Sequence, residues 1–415
     1  MKIIAVLFCI TLCIVCCSNN KTSCEYPVID VVNSIGKYQK VYCSDFFSSI
    51  ELIPLETRDD CLLDFNYYHV IELNDKIIIT RGDNRTQLYC FSRTGKYMNK
   101  IGQRGQGPGD YVFFTEVFLN TEKPVIYVVN NGRISEYDFQ GKFLHSFQIP
   151  SPDNRYLSRI TYVGKNLFVS QVHYDGKNRF KYCLFDQNGD TVKTFPNHIF
   201  FNRVGTMRSS NDASLLPIRV DNMIYLKDFI NDTLFVLTNM NLRPAYIFGF
   251  NNSYAKDRLE NSNPNITFPV NLSISNIIGM PNYFFYTIIV PESYPRPKSK
   301  HVYYPEIKMF LSQDGSVHGI YNIKNKMNIL LDTDEYLQKG IINDINGGLS
   351  VIPRYYAGNG EIVDVWNVDD MKEILTDEYF GKLTIKDEKG HQKLKELLKT
   401  LKEDDNPIVV IAKLK

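Results

Sequence analysis

One phrase recurs along this 415-residue chain: an apolar strand, a polar turn ending in glycine, then a second strand. It reads Gln87-Leu-Tyr-Cys-Phe-Ser-Arg-Thr-Gly95, then Ile134-Ser-Glu-Tyr-Asp-Phe-Gln-Gly141, then Tyr182-Cys-Leu-Phe-Asp-Gln-Asn-Gly189. The turn glycines stand 46 and 48 residues apart. A β-hairpin repeat with a period of about 40–50 residues predicts a β-propeller, one blade per repeat. Each phrase follows a short β-branched or aromatic run bounded by turn residues, at 77–80, 125–129 and 167–170. Aromatic residues make up 13% of the chain, which suits packing between blade faces, so the aromatic stripes read as core.

Later repeats drift from the phrase. In the fourth, Met223-Ile-Tyr-Leu226 leads into Asp232-Thr-Leu-Phe-Val-Leu-Thr-Asn-Met-Asn241. Asparagine replaces the turn glycine there, because it tolerates a left-handed backbone. The fifth runs from Tyr283-Phe-Phe-Tyr-Thr-Ile-Ile-Val290 to Glu306-Ile-Lys-Met-Phe-Leu-Ser-Gln-Asp-Gly315, with the Pro-rich basic loop 291–301 between. A second insertion, 251–269, is rich in Asn, Ser and Pro. Long loops on a propeller project from a face and often carry binding. The sixth repeat spans 347–366. Beyond it, Leu394, Leu397, Leu398 and Leu401 fall at helical spacing on a Lys/Glu background, predicting one amphipathic helix that ends before Pro407. Residues 408–414 read as a strand that completes the last blade with an N-terminal strand from within 41–55, removing open edges. The expected fold is all-β: a six-bladed propeller closed by its two terminal strands, with one short C-terminal helix.

Residues 1–17 read as an export signal. Lys2 is the only charge, an apolar run fills 3–15, and Cys16-Cys17-Ser18 follows. Such a run is too short to span a bilayer. A Cys at its end matches a bacterial lipoprotein signal and places the lipid on Cys17; the alternative is an ordinary secretory signal cut near Ser18. No acidic run follows Cys17, which points to a periplasm-facing protein held in the outer or inner membrane. Residues 18–40 are polar and irregular and are expected to form a tether, leaving 41–415 as the propeller. The formal charge of +1 falls to about zero without Lys2 and argues against nucleic acid, which selects a basic surface. Beyond the signal, Cys24, Cys43, Cys61, Cys90 and Cys183 are odd in number and sparse, so no disulfide framework is expected. Cys90 and Cys183 hold matching hairpin positions and are expected in the core.

The most unusual local stretch is Ile101-Gly-Gln-Arg-Gly-Gln-Gly-Pro-Gly-Asp-Tyr111. Amides around Gly105 and Gly107, with Arg104 as counter-charge, are candidates for holding a phosphate or carboxylate. The stretch lacks the Gly-Lys-Ser/Thr ending of a phosphate loop, and no helix follows it. It reads better as a tight inter-blade connection, with Pro108 fixing a turn. Together with Ser49-Ile-Glu-Leu-Ile-Pro-Leu-Glu-Thr57, the hairpin Phe91-Ser-Arg-Thr-Gly-Lys-Tyr97 and the tail Glu403-Asp-Asp-Asn-Pro-Ile-Val-Val-Ile-Ala-Lys-Leu-Lys415, it resembles the six-bladed β-propeller lipoproteins of Gram-negative gut anaerobes, relatives of NHL-type propellers. The resemblance covers the mature chain; Asp110 departs from the glutamate expected there. It implies six blades and an envelope address, and it brings no catalytic residues with it.

The seven histidines show no HxH or HxxxH spacing, so no metal site is legible; scattered surface positions are their plain reading. No nucleophile elbow and no cofactor motif appears. Asp59-Asp60, Asp369-Asp370 and Asp404-Asp405 read as solvated pairs. The candidates for ligand contact are Arg104, Gly105 and Gly107, His173 in the third repeat, and Arg296 and His301 in the basic loop. The expected role is a monomeric envelope propeller that binds or scaffolds a peptide, a glycan or a partner protein. The alternative is a lyase or hydrolase, with or without a metal, whose residues converge from several blades at the channel mouth. Fold alone fixes neither.

Overall fold

The computed structural model describes residues 26–63, 70–82, 86–173, 176–200, 215–227, 231–250, 272–298, 301–304, 309–312 and 315–415. Blade 1 comprises Val70–Leu73, Ile77–Arg81, Leu88–Ser92 and Tyr97–Lys100, antiparallel and in that order. Blades 2, 3, 4 and 5 repeat the order over 117–148, 157–196, 218–248 and 273–331. Blade 6 takes Tyr355–Gly358, Glu361–Trp366 and Ile408–Leu414 from the end of the chain and Phe47–Pro54 from its beginning. The first strands of the blades adjoin one another around the axis. The ring is a six-bladed propeller, and the expected closure is present: Ile53 pairs with Val409 and Leu52 with Val410.

Burial explains the strand sequences. A middle strand has a neighbouring blade on each face, so both side-chain rows must be apolar. Every residue of Ile126–Asn130 is buried, and the first four of both Ile77–Arg81 and Leu88–Ser92 are too. The rim strand Tyr97–Lys100 alternates, with one row in contact and one in solvent. Hydrophobic clusters fill the seams between successive blades. Between blades 2 and 3 the seam is largely aromatic: Phe168 stacks on Phe185 at 5.4 Å and meets Tyr127 edge-on at 5.2 Å. Cys90 and Cys183 are fully buried, as the hairpin positions require, and Cys43 and Cys61 join them as free, buried thiols.

The turn glycines do two jobs. Gly95, Gly141 and Gly189 all have positive φ, between +78° and +83°. Each also presses on the backbone at the rim of the preceding blade. A Cβ on Gly95 would stand 2.0 Å from the Pro54 carbonyl oxygen, on Gly141 2.0 Å from that of Lys100, and on Gly189 2.5 Å from that of Gln148. The glycine therefore closes the hairpin and lets successive blades approach. In blade 4, Asn239 and Met240 carry the positive φ instead.

The N-terminal segment departs from expectation. Residues 18–25 lie outside the described residues, but 26–40 do not form a tether. Val28–Ile29 adds a parallel fifth strand to the rim of blade 4, and Tyr38–Gln39 does the same on blade 5. Ile29 and Val31 are fully buried in the seam between these blades. The chain thus walks along the rims of blades 4, 5 and 6 in turn. Covering each rim satisfies an edge strand's unpaired backbone groups.

The predicted helix is present as Glu388–Thr400, capped by the Asp387 carboxylate accepting from the Gly390 amide at 3.0 Å. Two shorter helices, Val368–Ile374 and Asp377–Phe380, accompany it between the second and third strands of blade 6. Asp369 and Asp370 fall in the first turn of one of them, where acidic side chains complement the helix dipole. No described helix is long and apolar enough to cross a membrane.

Asn406 joins the two ends of the chain. Its Oδ1 accepts from the Leu63 amide at 2.9 Å, and its Nδ2 donates to the Glu56 and Cys61 carbonyls at 2.8 and 3.0 Å. Its own amide donates to Thr57 Oγ1 at 2.9 Å. The Pro-Leu-Glu-Thr and Asn-Pro phrases are thus two halves of one clasp.

Candidate functional site

Strand direction sorts the loops. The strands of each blade alternate in direction, so the blade-to-blade connections and the links between second and third strands emerge on one face. The short hairpins between first and second, and third and fourth, strands tip the other. Arg104, Gly105, Gly107, His173, Arg296 and His301 all lie in segments of the first face.

The glycine-rich stretch forms a small ladder, Gln103–Arg104 beside Asp110–Tyr111. The Gly107 amide donates to Asp110 Oδ2 at 3.0 Å, so the chain's own carboxylate takes the place of an external anion. A Cβ at Gly105 would stand 2.3 Å from that oxygen. Arg133 Nη2 donates to the Asp110 carbonyl at 2.7 Å and Tyr137 Oη to the Gly109 carbonyl at 3.0 Å, tying the loop to blade 2. This geometry supports the inter-blade connection; Arg104 is exposed beside it. His173 is exposed, its amide bonded to the Tyr156 carbonyl at 2.8 Å. Arg296 Nε donates to the Val290 carbonyl at 2.7 Å. The main chain of His301 pairs with Ser312, and its side chain lies outside the described residues. Cys17 does too. Two histidines are not surface residues: His391 is buried with Nδ1 2.9 Å from the Asn346 carbonyl, and His318 is buried against Phe285.

The same face gathers large exposed apolar side chains. Val112, Phe113, Tyr156, Phe200, Leu216 and Tyr294 stand out on it, Tyr156 at 83% exposure. Among the described residues, the hairpin-tip face exposes Met223, Met240 and Met327 and no large aromatic.

At the axis the first strands bring together groups that sequence reasoning passed over. Tyr355 Oη of blade 6 donates to Glu72 Oε2 of blade 1 at 2.6 Å. Arg219 of blade 4 lies in electrostatic range and donates to the Tyr162 carbonyl of blade 3. Toward the hairpin tips, Tyr356 Oη donates to Asp221 Oδ1 at 3.1 Å. Glu72, Arg219 and Tyr355 sit deep in the ring yet keep part of their surface open, as residues lining a narrow bore do. Burial pushes the Glu72 carboxyl up to about 7, opposed by the Tyr355 hydrogen bond and the Arg219 charge. Burial, followed by the Glu72 charge, drives the Tyr355 phenol well above its ordinary value. Among the described residues, no group of three or more His, Cys, Asp or Glu side chains is placed to hold a metal ion.

The raised Glu72 value has a sign for stability. From its ordinary value near 4.5 to about 7, the unfolded chain releases the proton while the folded ring holds it. Stability attributable to Glu72 is therefore highest below that window and falls as pH rises through it, by at most about 3 kcal/mol. Glu72→Gln is expected to flatten this slope, read as urea midpoints at pH 5 and pH 8 in parent and variant. Identical slopes in the two proteins would reject the assignment.

A protein described as exported, from Bacteroides fragilis, superposes with a TM-score of 0.64 at 16% identity, over 94% of this chain and 99% of that one. A member of the DUF4221 family from Bacteroides vulgatus gives 0.46 at 12% identity, over 89% and 97%. A streptogramin B lyase gives 0.39 at 10% identity, over 78% and 96%. No curated protein sequence matches the chain. The profile of the family described as a domain of unknown function, DUF4934, matches residues 26–413. That span takes in all six blades, the rim-walking segment and the closing strand, and the chain belongs to the DUF4934 family.

Proposed function

We propose that this protein is exported, anchored through a lipid on Cys17, and works at the cell envelope, facing the periplasm, as a binding propeller. Its ligand, a peptide, a glycan or a partner protein, seats on the connection-bearing face. The observation that carries this reading is the one-sidedness of the exposed aromatic side chains, with Phe113, Tyr156, Phe200 and Tyr294 all on that face. Rigid aromatic surfaces give large contact area at low entropic cost. The exported relative and the sequence of residues 1–17 support the address.

The test has two arms. Cys17→Ala is expected to leave the protein soluble after cell lysis; retention in the membrane pellet would remove the anchor. The purified protein is then screened against envelope glycans and envelope proteins. A partner that binds the parent and is held about tenfold less tightly by Phe113→Ala/Tyr156→Ala supports the face. Unchanged binding by that variant places the site elsewhere.

The axis supports a second reading, a lyase or hydrolase. A carboxyl near 7 beside a phenol can exchange protons at neutral pH. Turnover of a bound ligand that disappears in Glu72→Gln, with binding retained, would select it.

A further inference from the structure

The N-terminal segment limits how far the ring can stand from its anchor. Val28–Ile29 is tied to the rim of blade 4. The Pro27 carbonyl accepts from the Ile247 amide at 3.0 Å and the Ile29 carbonyl from the Gly249 amide at 2.8 Å, and Ile29 and Val31 are fully buried. Tyr26 is nine positions from Cys17. A chain gains at most about 3.3–3.6 Å per residue, so this stretch reaches about 30 Å whatever its conformation. A tether running to residue 40 would reach more than twice as far. With the lipid on Cys17, blade 4 is therefore held close to the bilayer.

The chain also arrives from a definite side. Asn241–Phe248, the fourth strand of blade 4, runs from its hairpin tip to the connection-bearing face, and Val28–Ile29 pairs with it in parallel. Tyr26 and Pro27 thus lie on the hairpin-tip side of Val28. The tips differ from blade to blade. Those of blades 1, 2 and 3 expose charges of both signs, among them Asp75 and Lys76, Glu122 and Lys123, Lys165 and Asp190. Those of blades 4 and 5 expose Met223, Met240 and Met327, with Lys324 and Lys326 beside Met327. The one acidic side chain in these turns, Asp221, accepts from the Tyr356 hydroxyl. Met223 Sδ accepts from the Tyr225 hydroxyl at 3.5 Å, while Met327 is 55% exposed. Blades 4 and 5 are also the two whose rims carry the added parallel strands.

An unbranched thioether adapts to irregular apolar surroundings, and apolar side chains flanked by lysines suit the boundary between acyl chains and anionic headgroups. We propose that the hairpin tips of blades 4 and 5 rest on the lipid surface. Met240 and Met327 enter the headgroup region, and Lys324 and Lys326 meet its phosphates. The connection-bearing face is turned away from the bilayer. This orientation rests on the lipid at Cys17 proposed above and is independent of what the opposite face binds.

The test uses the full lipidated chain in vesicles of phosphatidylcholine and phosphatidylglycerol with acyl chains brominated near the headgroup, which quench tryptophan on contact. The chain has one tryptophan, Trp366, which is 3% exposed, so an introduced one reports its own surroundings. Met327→Trp and Met240→Trp are each expected to lose at least about half of their added fluorescence relative to unbrominated vesicles, whereas Tyr156→Trp, on the connection-bearing face, keeps it. Met240 has a positive φ, so Met327→Trp, at the parent's melting temperature, is the deciding variant. Adding Lys324→Glu/Lys326→Glu to it is expected to cut the quenching about twofold; undiminished quenching would overturn the headgroup contact. Flotation of the parent with the vesicles reads the anchor separately. A parent left at the bottom of the density gradient removes the anchor and this proposal with it. Floating chains in which Tyr156→Trp is quenched as strongly as Met327→Trp, or in which neither is quenched, overturn the orientation alone.

Discussion

Alanine at Gly141 is expected to cost the ring far more than alanine at Gly132. The two glycines have nearly the same backbone, φ +78° and +79°, in the same blade. A left-handed conformation costs an alanine about 1–2 kcal/mol at either place. At Gly132 nothing lies within 4 Å of the new Cβ, so that cost is the whole effect. At Gly141 the Cβ would stand 2.0 Å from the Lys100 carbonyl oxygen and 2.9 Å from Asn99 Nδ2. Blade 1 must move away from blade 2, which adds roughly 1–3 kcal/mol or more, as overpacking does. Urea midpoints of the two variants, compared at constant m-value, measure the difference. Equal losses would show that blades 1 and 2 do not meet through this glycine.

Asn406→Ala is expected to destabilise the protein by about 2–4 kcal/mol, because it strands three backbone groups at once. The Glu56 and Cys61 carbonyls lose a donor and the Leu63 amide loses an acceptor, in a site where Asn406 is only 4% exposed. Asn406→Asp separates the contributions. It keeps the acceptor for Leu63 but sets a carboxylate against two carbonyls, so its loss should be larger at pH 8 than at pH 4. Melting temperatures at the two pH values read this directly. An alanine variant that melts with the parent would mean that the two chain ends are held by strand pairing alone.

The legible part of this fold was the part written locally. A turn glycine, its flanking β-branched runs and their spacing sit within one repeat, so hairpins and blade count could be read from residues such as Gly95, Gly141 and Gly189. The closing strand was legible too, since Ile408–Leu414 is a continuous apolar run. The rim strands Val28–Ile29 and Tyr38–Gln39 were not. Two residues carry no period, and their partners near Ile247 and Leu330 lie far along the chain. The helices of blade 6 beyond the leucine-spaced one escaped for the same reason, being only four and seven residues long.

The axial groups left a faint signal that can be stated. Glu72 stands in Val-Ile-Glu-Leu and Arg219 in Ile-Arg-Val. A lone charge in the first strand of a repeat faces the bore, because that strand is the one nearest the axis. The glycine-rich loop misleads in the opposite way: its composition advertises an anion site, but Asp110, three residues after Gly107, supplies the anion from within.

The rim-walking segment also sets an order of events during synthesis. Val28, Tyr38 and Ile53 are made early, yet their partners Ile247, Leu330 and Val409 follow 219, 292 and 356 residues later. At translation rates of about 5–20 residues per second, the first strands wait on the order of ten seconds to a minute for the last. Throughout that interval the early strands lack the blade edges they pair with, and the ring has no seam to shut. Folding of this chain is therefore finished from both ends at once, and a nascent chain must be kept from pairing its early strands with those of another copy until residues 408–414 arrive.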